Sequence, residues 1–207
     1  MGCCCDDCGY WWDEWKYCLA CIGIFILVVL FAVLLAAYAV VRHIDVEVED
    51  ASLTRFDLVT SPVTAFAYNL TLTLTIRNPN WAMSLKNTKP LEAAYKFDGQ
   101  QFDRVGLAEK GDKHKPGKTR VYHLVRNSNS SFVALGNAGE TEYRKEKPTG
   151  VFEVEVAVTG EVRYTARYTK CKIEASCPLK LQLAPPGTEA VVFQKVKCKL
   201  AKPEKNC

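Results

Sequence analysis

Hydrophobic and polar positions divide this chain into two regimes. From Leu19 to Val41 (LACIGIFILVVLFAVLLAAYAVV) no Asp, Glu, Lys, Arg, Asn, Gln or Pro interrupts an apolar run. As a helix rising about 1.5 Å per residue it reaches about 34 Å, enough to cross a hydrocarbon core about 30 Å thick. A cleaved signal peptide has a shorter apolar region behind a basic segment. Here the preceding segment is acidic and aromatic, so the pattern predicts a single N-terminal transmembrane helix retained as a signal anchor. No polar stripe breaks the run, which sets aside the core helix of a soluble protein.

From Ile44 the period changes to two. Ile44, Val46 and Val48 alternate with Asp45, Glu47 and Glu49, the pattern of a half-buried strand whose successive side chains point to opposite faces. Leu53 to Val59 reads as a second, less regular segment before Ser61-Pro62. Leu70, Leu72, Leu74 and Ile76 alternate with Thr71, Thr73 and Thr75, and Asn78-Pro79-Asn80 ends that strand. Leu91–Phe97 and Gln100–Val105 flank Asp98-Gly99, a hairpin signal because a type I′ turn needs positive φ at both central residues. Glu109–Lys118 is a basic loop, read as a solvated connection, with contact to a polyanion or lipid headgroups as the alternative. Thr119–Val125 is a strand, Asn127–Ser131 a turn, and Ser131–Gly139 a short helix. Val151–Val158 alternates again, Gly160 turns the chain into Val162–Tyr168, and Leu179, Leu181 and Leu183 follow. A last strand lies near Val191–Leu200. Short strands separated by turn signals, with no long helix, predict an all-β antiparallel sandwich. The organisation expected is a Cys/Trp-rich head at 1–18, the anchor at 19–41 and a sheet domain at 42–207.

Charge changes this picture little. The formal net charge is +4 over 207 residues. The head is net acidic (Asp6, Asp7, Asp13 and Glu14 against Lys16), so the body is the basic part. Its charges are interspersed rather than massed, which gives no nucleic-acid footprint.

The ten cysteines matter more. Cys3, Cys4, Cys5 and Cys8 precede the anchor, and a cytosolic thiol beside a bilayer is a target for reversible S-acylation. These four are the candidate lipidation sites, with free reduced thiols as the alternative. Gly2 invites N-myristoylation, but Asp6 stands where that motif wants Ser or Thr. Cys5-x2-Cys8 and Cys18-x2-Cys21 have zinc-like spacing, yet Cys21 falls inside the apolar run, and no metal is expected. Tyr10, Trp11, Trp12, Trp15 and Tyr17 suit an interfacial aromatic belt.

Lys16 and Arg42 flank the anchor evenly, so the positive-inside rule does not orient it. Two N-glycosylation sequons, at Asn69 and Asn129, and an even number of body cysteines point to an oxidising compartment for the body. Cys177 and Cys198 share inward parity with Leu179 and Val196 and are candidates to pair, leaving Cys171 and Cys207. Three connectivities are open.

The only histidines are His43, His114 and His123, and no GxSxG, HExxH, P-loop or GxGxxG occurs. No catalytic constellation, cofactor site or metal site is therefore expected.

Asn78-Pro79-Asn80 after an alternating strand, the hairpin Ala94–Phe102 centred on Asp98-Gly99, and Cys177-Pro178 with Cys198 occur in an order that resembles the plant NHL family (non-race-specific disease resistance and harpin-induced-like), with a late embryogenesis abundant group 2 domain. The resemblance implies a membrane-anchored, fibronectin-III-like β-sandwich at the plasma membrane, or in the endoplasmic reticulum, with the head cytosolic and the sandwich apoplastic. It implies roles in pathogen response, including hypersensitive cell death, and in abiotic stress, through the bilayer and protein partners in defence signalling. It implies no catalysis. A membrane-tethered lipid-binding or lipid-transfer module, with an acyl chain between the sheets, is the alternative.

Overall fold

In this computed structural model residues 7–39, 41–61, 63–165, 168–184 and 192–201 are described. The chain divides into two units, Met1–Val41 and Arg42–Cys207.

The first unit is helix α1 (Asp7–Ala39). Trp15–Ala36 is long and apolar enough to span a bilayer, and none of it is buried by protein. Phe25, Leu27 and Phe31 are all exposed. A helix apolar on every side needs lipid as its solvent. The helix begins at Asp7, so the described part of the head is helical and continuous with the anchor.

In the second unit, β1 (Asp45–Val59), β2 (Ala65–Arg77), β3 (Leu85–Asn87), β4 (Leu91–Phe97), β5 (Gln100–Ala108), β6 (Lys113–His114) and β7 (Thr119–Phe132) precede helix α2 (Gly136–Glu146). Strands β8 (Val151–Tyr164), β9 (Lys170–Gln182), β10 (Val196–Lys197) and β11 (Lys199–Leu200) follow. One sheet has the order β10-β1-β2-β7. The other runs β11-β9-β8-β3-β6, with the β4–β5 hairpin attached to β8. Every strand pair is antiparallel.

Several boundaries differ from the sequence reading, each for a local reason. Ile44–Val48 and Leu53–Val59 are one strand. Register shifts between Val48 and Asp50 and between Leu53 and Arg55 mark bulges, and an extra residue flips the alternation without ending the strand. Asn127–Ser131 is no turn: β7 runs through it, paired with β2 as far as Phe132. The short helix lies later than expected, after Leu135. Gly160 does not turn the chain but lies inside β8. A Cβ there would come within 2.7 Å of Leu91 Cδ1 and 3.4 Å of the Pro90 carbonyl, so the glycine permits close approach of the Pro90–Leu91 segment.

The core lies between the two inner faces. Leu70, Leu72, Leu74 and Ile76 of β2 and Val154, Val156 and Val158 of β8 are at most 1 % exposed. At one end Phe56, Phe66, Phe97, Phe102 and Phe152 form an aromatic cluster. Phe56 stacks on Phe66 with centroids 4.4 Å apart and meets Phe152 edge-on at 4.9 Å. Helix α2 closes that end with Tyr143, stacked on Phe152 at 5.6 Å. The Tyr143 hydroxyl donates to the Phe56 carbonyl (3.0 Å) and accepts from the Leu58 N–H (3.1 Å). Thus a polar tip is satisfied while its ring fills the core.

Candidate functional site

The Asn78-Pro79-Asn80 motif sits at the opposite end, where the chain enters the sheet unit. Both asparagines are buried, at 0 % and 3 % exposure. A neutral carboxamide carries donors and an acceptor together, so it can join strands without burying charge. Asn78 Nδ2 donates to the carbonyls of Met83 (2.8 Å) and Lys115 (3.3 Å). Its Oδ1 accepts from the Asn80 backbone (3.1 Å) and from Asn80 Nδ2 (3.0 Å). Asn80 then grips Arg42 as a backbone partner would: Oδ1 accepts from its N–H (2.8 Å) and Nδ2 donates to its carbonyl (2.6 Å). The Tyr164 hydroxyl donates to the same carbonyl at 3.3 Å. Backbone bonds from Asn78 to Lys118 and from Gly117 to Asn80 fasten the basic loop to the motif. The motif is therefore a three-way knot of the entering chain, the basic loop and the end of β8.

The Asp98-Gly99 hairpin is formed as expected. Asp98 has φ +48° and Gly99 φ +73°, the left-handed pair a type I′ turn requires. Asp98 Oδ2 lies where a side chain at Gly139 would reach it, within 3.2 Å, so the turn packs against α2.

Cys177 and Cys198 form a disulfide with Cα atoms 4.3 Å apart. Cys198 lies between β10, which pairs with β1, and β11, which pairs with β9. The bond thus pins the point where the terminal strand crosses from one sheet to the other. Instead of one strand near Val191–Leu200, two dipeptide strands flank this crossing. Cys171 is also disulfide-bonded; Cys207 lies outside the described residues. So do Cys3, Cys4, Cys5 and the side chain of Cys8. Cys18 and Cys21 are exposed and free on α1.

Asn69 and Asn129 line one polar pocket of about 470 Å3 with Arg55, Asp57, Asn127 and Ser128. Asn69 is half-buried in the middle of β2, facing Arg55 on one side and Asn127 on the other. Asn129 is exposed, and its Oδ1 accepts from Arg55 Nη1 at 3.2 Å. Sequence parity places Asn69 on the outer face but does not show how closely its neighbours enclose it.

A second polar constellation carried no local sequence signal. Asp103 on β5 accepts from Arg126 on β7 through Nε (2.8 Å) and Nη2 (3.0 Å), and from the Tyr68 hydroxyl on β2. Burial pushes the Asp103 carboxyl upward. The hydrogen bonds from Arg126, Tyr68 and the Arg104 N–H outweigh that and hold it below the usual aspartate value. Burial, followed by the bond to this carboxylate, raises the Tyr68 hydroxyl well above its ordinary value.

Among the described residues no group of three or more His, Cys, Asp or Glu side chains is placed to hold a metal. His123 meets Thr73 Oγ1 at 3.2 Å on an exposed face, and His114 is the buried residue of β6 within the basic loop. Among the described residues, no hydrogen bond joins a histidine to a cysteine, serine or carboxylate.

No family model matches the chain. It is 32 % identical over 165 residues to NDR1/HIN1-like protein 10 of Arabidopsis thaliana, covering 76 % of this chain and 70 % of that protein. It is 27 % identical over 186 residues to NDR1/HIN1-like protein 3 of the same plant, covering 84 % and 78 %. A solved structure of a protein from Archaeoglobus fulgidus aligns at 11 % identity and TM-score 0.32, covering 66 % of this chain and 99 % of that one, too remote to bear on the fold.

Proposed function

The chain belongs to the NDR1/HIN1-like family, and from that premise we propose that it is a non-enzymatic, single-pass membrane protein of plant defence and stress signalling. The observation that carries this reading is an apolar helix unburied by protein, Trp15–Ala36, joined to a disulfide-bonded sheet unit in a chain of this family. We read the sheet unit as a late embryogenesis abundant group 2, fibronectin-III-like sandwich, and its domain as residues 42–207 behind a head at 1–18 and an anchor at 19–41. The head is cytosolic, acylated at some of Cys3, Cys4, Cys5 and Cys8, and meets protein partners of the defence response. The sheet unit is apoplastic at the plasma membrane, and glycosylated at Asn69 or Asn129. A disulfide favours that side, since cytosolic thiols are kept reduced. The lipid-carrier alternative has no comparable support: the space between the sheets is filled by the aromatic cluster and the valine and leucine rows.

Protease protection combined with glycosidase treatment on intact membranes tests the topology. The expected result is a protected sheet unit whose glycosidase-sensitive mobility shift disappears in the Asn69→Gln/Asn129→Gln variant. Cleavage of the sheet unit from the cytosolic side, with both asparagines unmodified, would refute it.

A further inference from the structure

The end of the sheet unit that holds Asn78-Pro79-Asn80 exposes two large aromatic side chains. Trp81 is 62 % exposed and Tyr168 is 96 % exposed. They sit on neighbouring connections: Trp81 follows Asn80, and Tyr168 follows Thr165, which is hydrogen-bonded to Ser84. Tryptophan and tyrosine combine an apolar ring with a polar tip, the combination that settles at the headgroup level of a bilayer. Around them Arg42, Arg77, Lys115 and Lys118 are exposed. The knot brings these cations together, because Asn80 binds Arg42 while the Asn78–Asn80 backbone binds Gly117 and Lys118. Of the carboxylates on the elements that meet here, Asp45 pairs with Lys197, Asp112 with Arg120, and Glu161 with Lys89 and Lys170, while Glu109 at the start of the basic loop is exposed. None of the four cations has an ion-pair partner among the described residues.

Chain continuity bounds how far Arg42 lies from the anchor. Helix α1 ends at Ala39 and Arg42 is gripped by the knot. Three extended residues span at most about 10 Å, so Arg42 stays within a headgroup layer's depth of the anchor's end. We propose that this end of the sheet unit is a bilayer-contact surface, with Trp81 and Tyr168 seated among the headgroups and Arg42, Arg77, Lys115 and Lys118 facing anionic lipid. The Asn78-Pro79-Asn80 knot is then the device that gathers Arg42, Lys115 and Lys118 onto this surface. The proposal rests on the membrane span alone and holds whichever side of the membrane the sheet unit occupies.

The test uses the full chain reconstituted into phosphatidylcholine vesicles with and without phosphatidylserine. Trp81 emission is taken as the difference between the wild type and Trp81→Phe, since Trp11, Trp12 and Trp15 are common to both. In vesicles carrying brominated acyl chains the Trp81 emission is expected to fall at least about twofold and to be shielded from aqueous acrylamide, more so with the anionic lipid. Lys115→Glu/Lys118→Glu changes two exposed side chains outside the core, and is expected to restore acrylamide access and abolish the dependence on phosphatidylserine. Trp81 emission that acrylamide quenches freely and brominated lipid leaves unchanged overturns the proposal, as does shielding that appears only when a soluble protein is added. Quenching of the head tryptophans by brominated lipid in Trp81→Phe reports insertion of the anchor. Its failure would refute the membrane span itself, whereas its success beside an unquenched Trp81 refutes only the contact surface.

Discussion

Two side chains near the knot show how much a single residue decides. His114 is 4 % exposed, and neither ring nitrogen has a hydrogen-bond partner. Burial, then the Arg120 guanidinium on β7, lower its pKa to about 4, against a smaller opposing pull from Asp112. The unfolded chain, with an ordinary histidine near 6.5, therefore binds more protons than the folded one between those values. Stability falls as pH falls through that window, by about 2 kcal/mol from this group between pH 7.5 and 5. Denaturant titrations of the full chain in micelles at a series of pH values will show this slope, and His114→Gln will flatten it. Asn80 acts without titrating. Asn80→Ala takes the partner from the half-buried Arg42 N–H and leaves the Arg42 carbonyl only the Tyr164 hydroxyl, at an expected cost of about 1–3 kcal/mol. Amide exchange at Arg42 and Gly117 will rise further than at the far end of the β8–β9 pair, around Val154 and Leu179.

At the scale of elements, the terminal crossing depends on one covalent bond. β10 and β11 are two residues each and bury little, yet they join opposite sheets across Cys198. Cys198→Ser is expected to cost about 3 kcal/mol, by the usual loop-closure argument for a separation of this size. It will also release both dipeptide strands while β1 and β9 stay paired with β2 and β8, which exchange protection of each strand will report. Such an element is hardly legible beforehand, because two-residue strands carry no period; the inward parity of Cys177 and Cys198 was the only cue. The long strands were legible where one face is core and the other is solvent, as along Leu70–Ile76. They became illegible at the bulges of β1, where the alternation shifts by one residue. The alternation is also absent from the polar half of β7, where Asn127–Ser131 reads as turn chemistry but is held in the sheet by β2. The hairpin at Asp98-Gly99 was readable because its turn geometry demands those residues. The knot was half readable: Asn78 and Asn80 stood out, but their partners Arg42, Met83 and Lys115 are chosen by tertiary folding.

Across the whole molecule, the two sheets have an open seam where β5 and β7 face each other without pairing. Side chains close it: Asp103 reaches Arg126 and Tyr68, and the Ser131 hydroxyl donates to the Phe102 carbonyl. Arg126 is partly exposed, so solvent screens the charge attraction and the latch is worth less than a buried pair. Asp103→Asn is nearly isosteric and should cost about 1–2 kcal/mol, chiefly by setting amide donors against the guanidinium. The double variant Asp103→Asn/Arg126→Gln should cost less than the two single changes together, as expected for groups that act on each other. Hydrogen exchange should rise along β5 and the Asn127–Phe132 half of β7 and remain unchanged in β8 and β9. The latch also has its own pH window. Its carboxyl is held below the ordinary aspartate value, so its stabilisation is complete above about pH 4 and is lost only as pH falls further. Acid should therefore act in two stages, first through His114 in the basic loop and then through Asp103 at the seam. His114→Gln should remove the first stage alone and Asp103→Asn the second alone. A single acid transition indifferent to both substitutions would show that neither group governs the response.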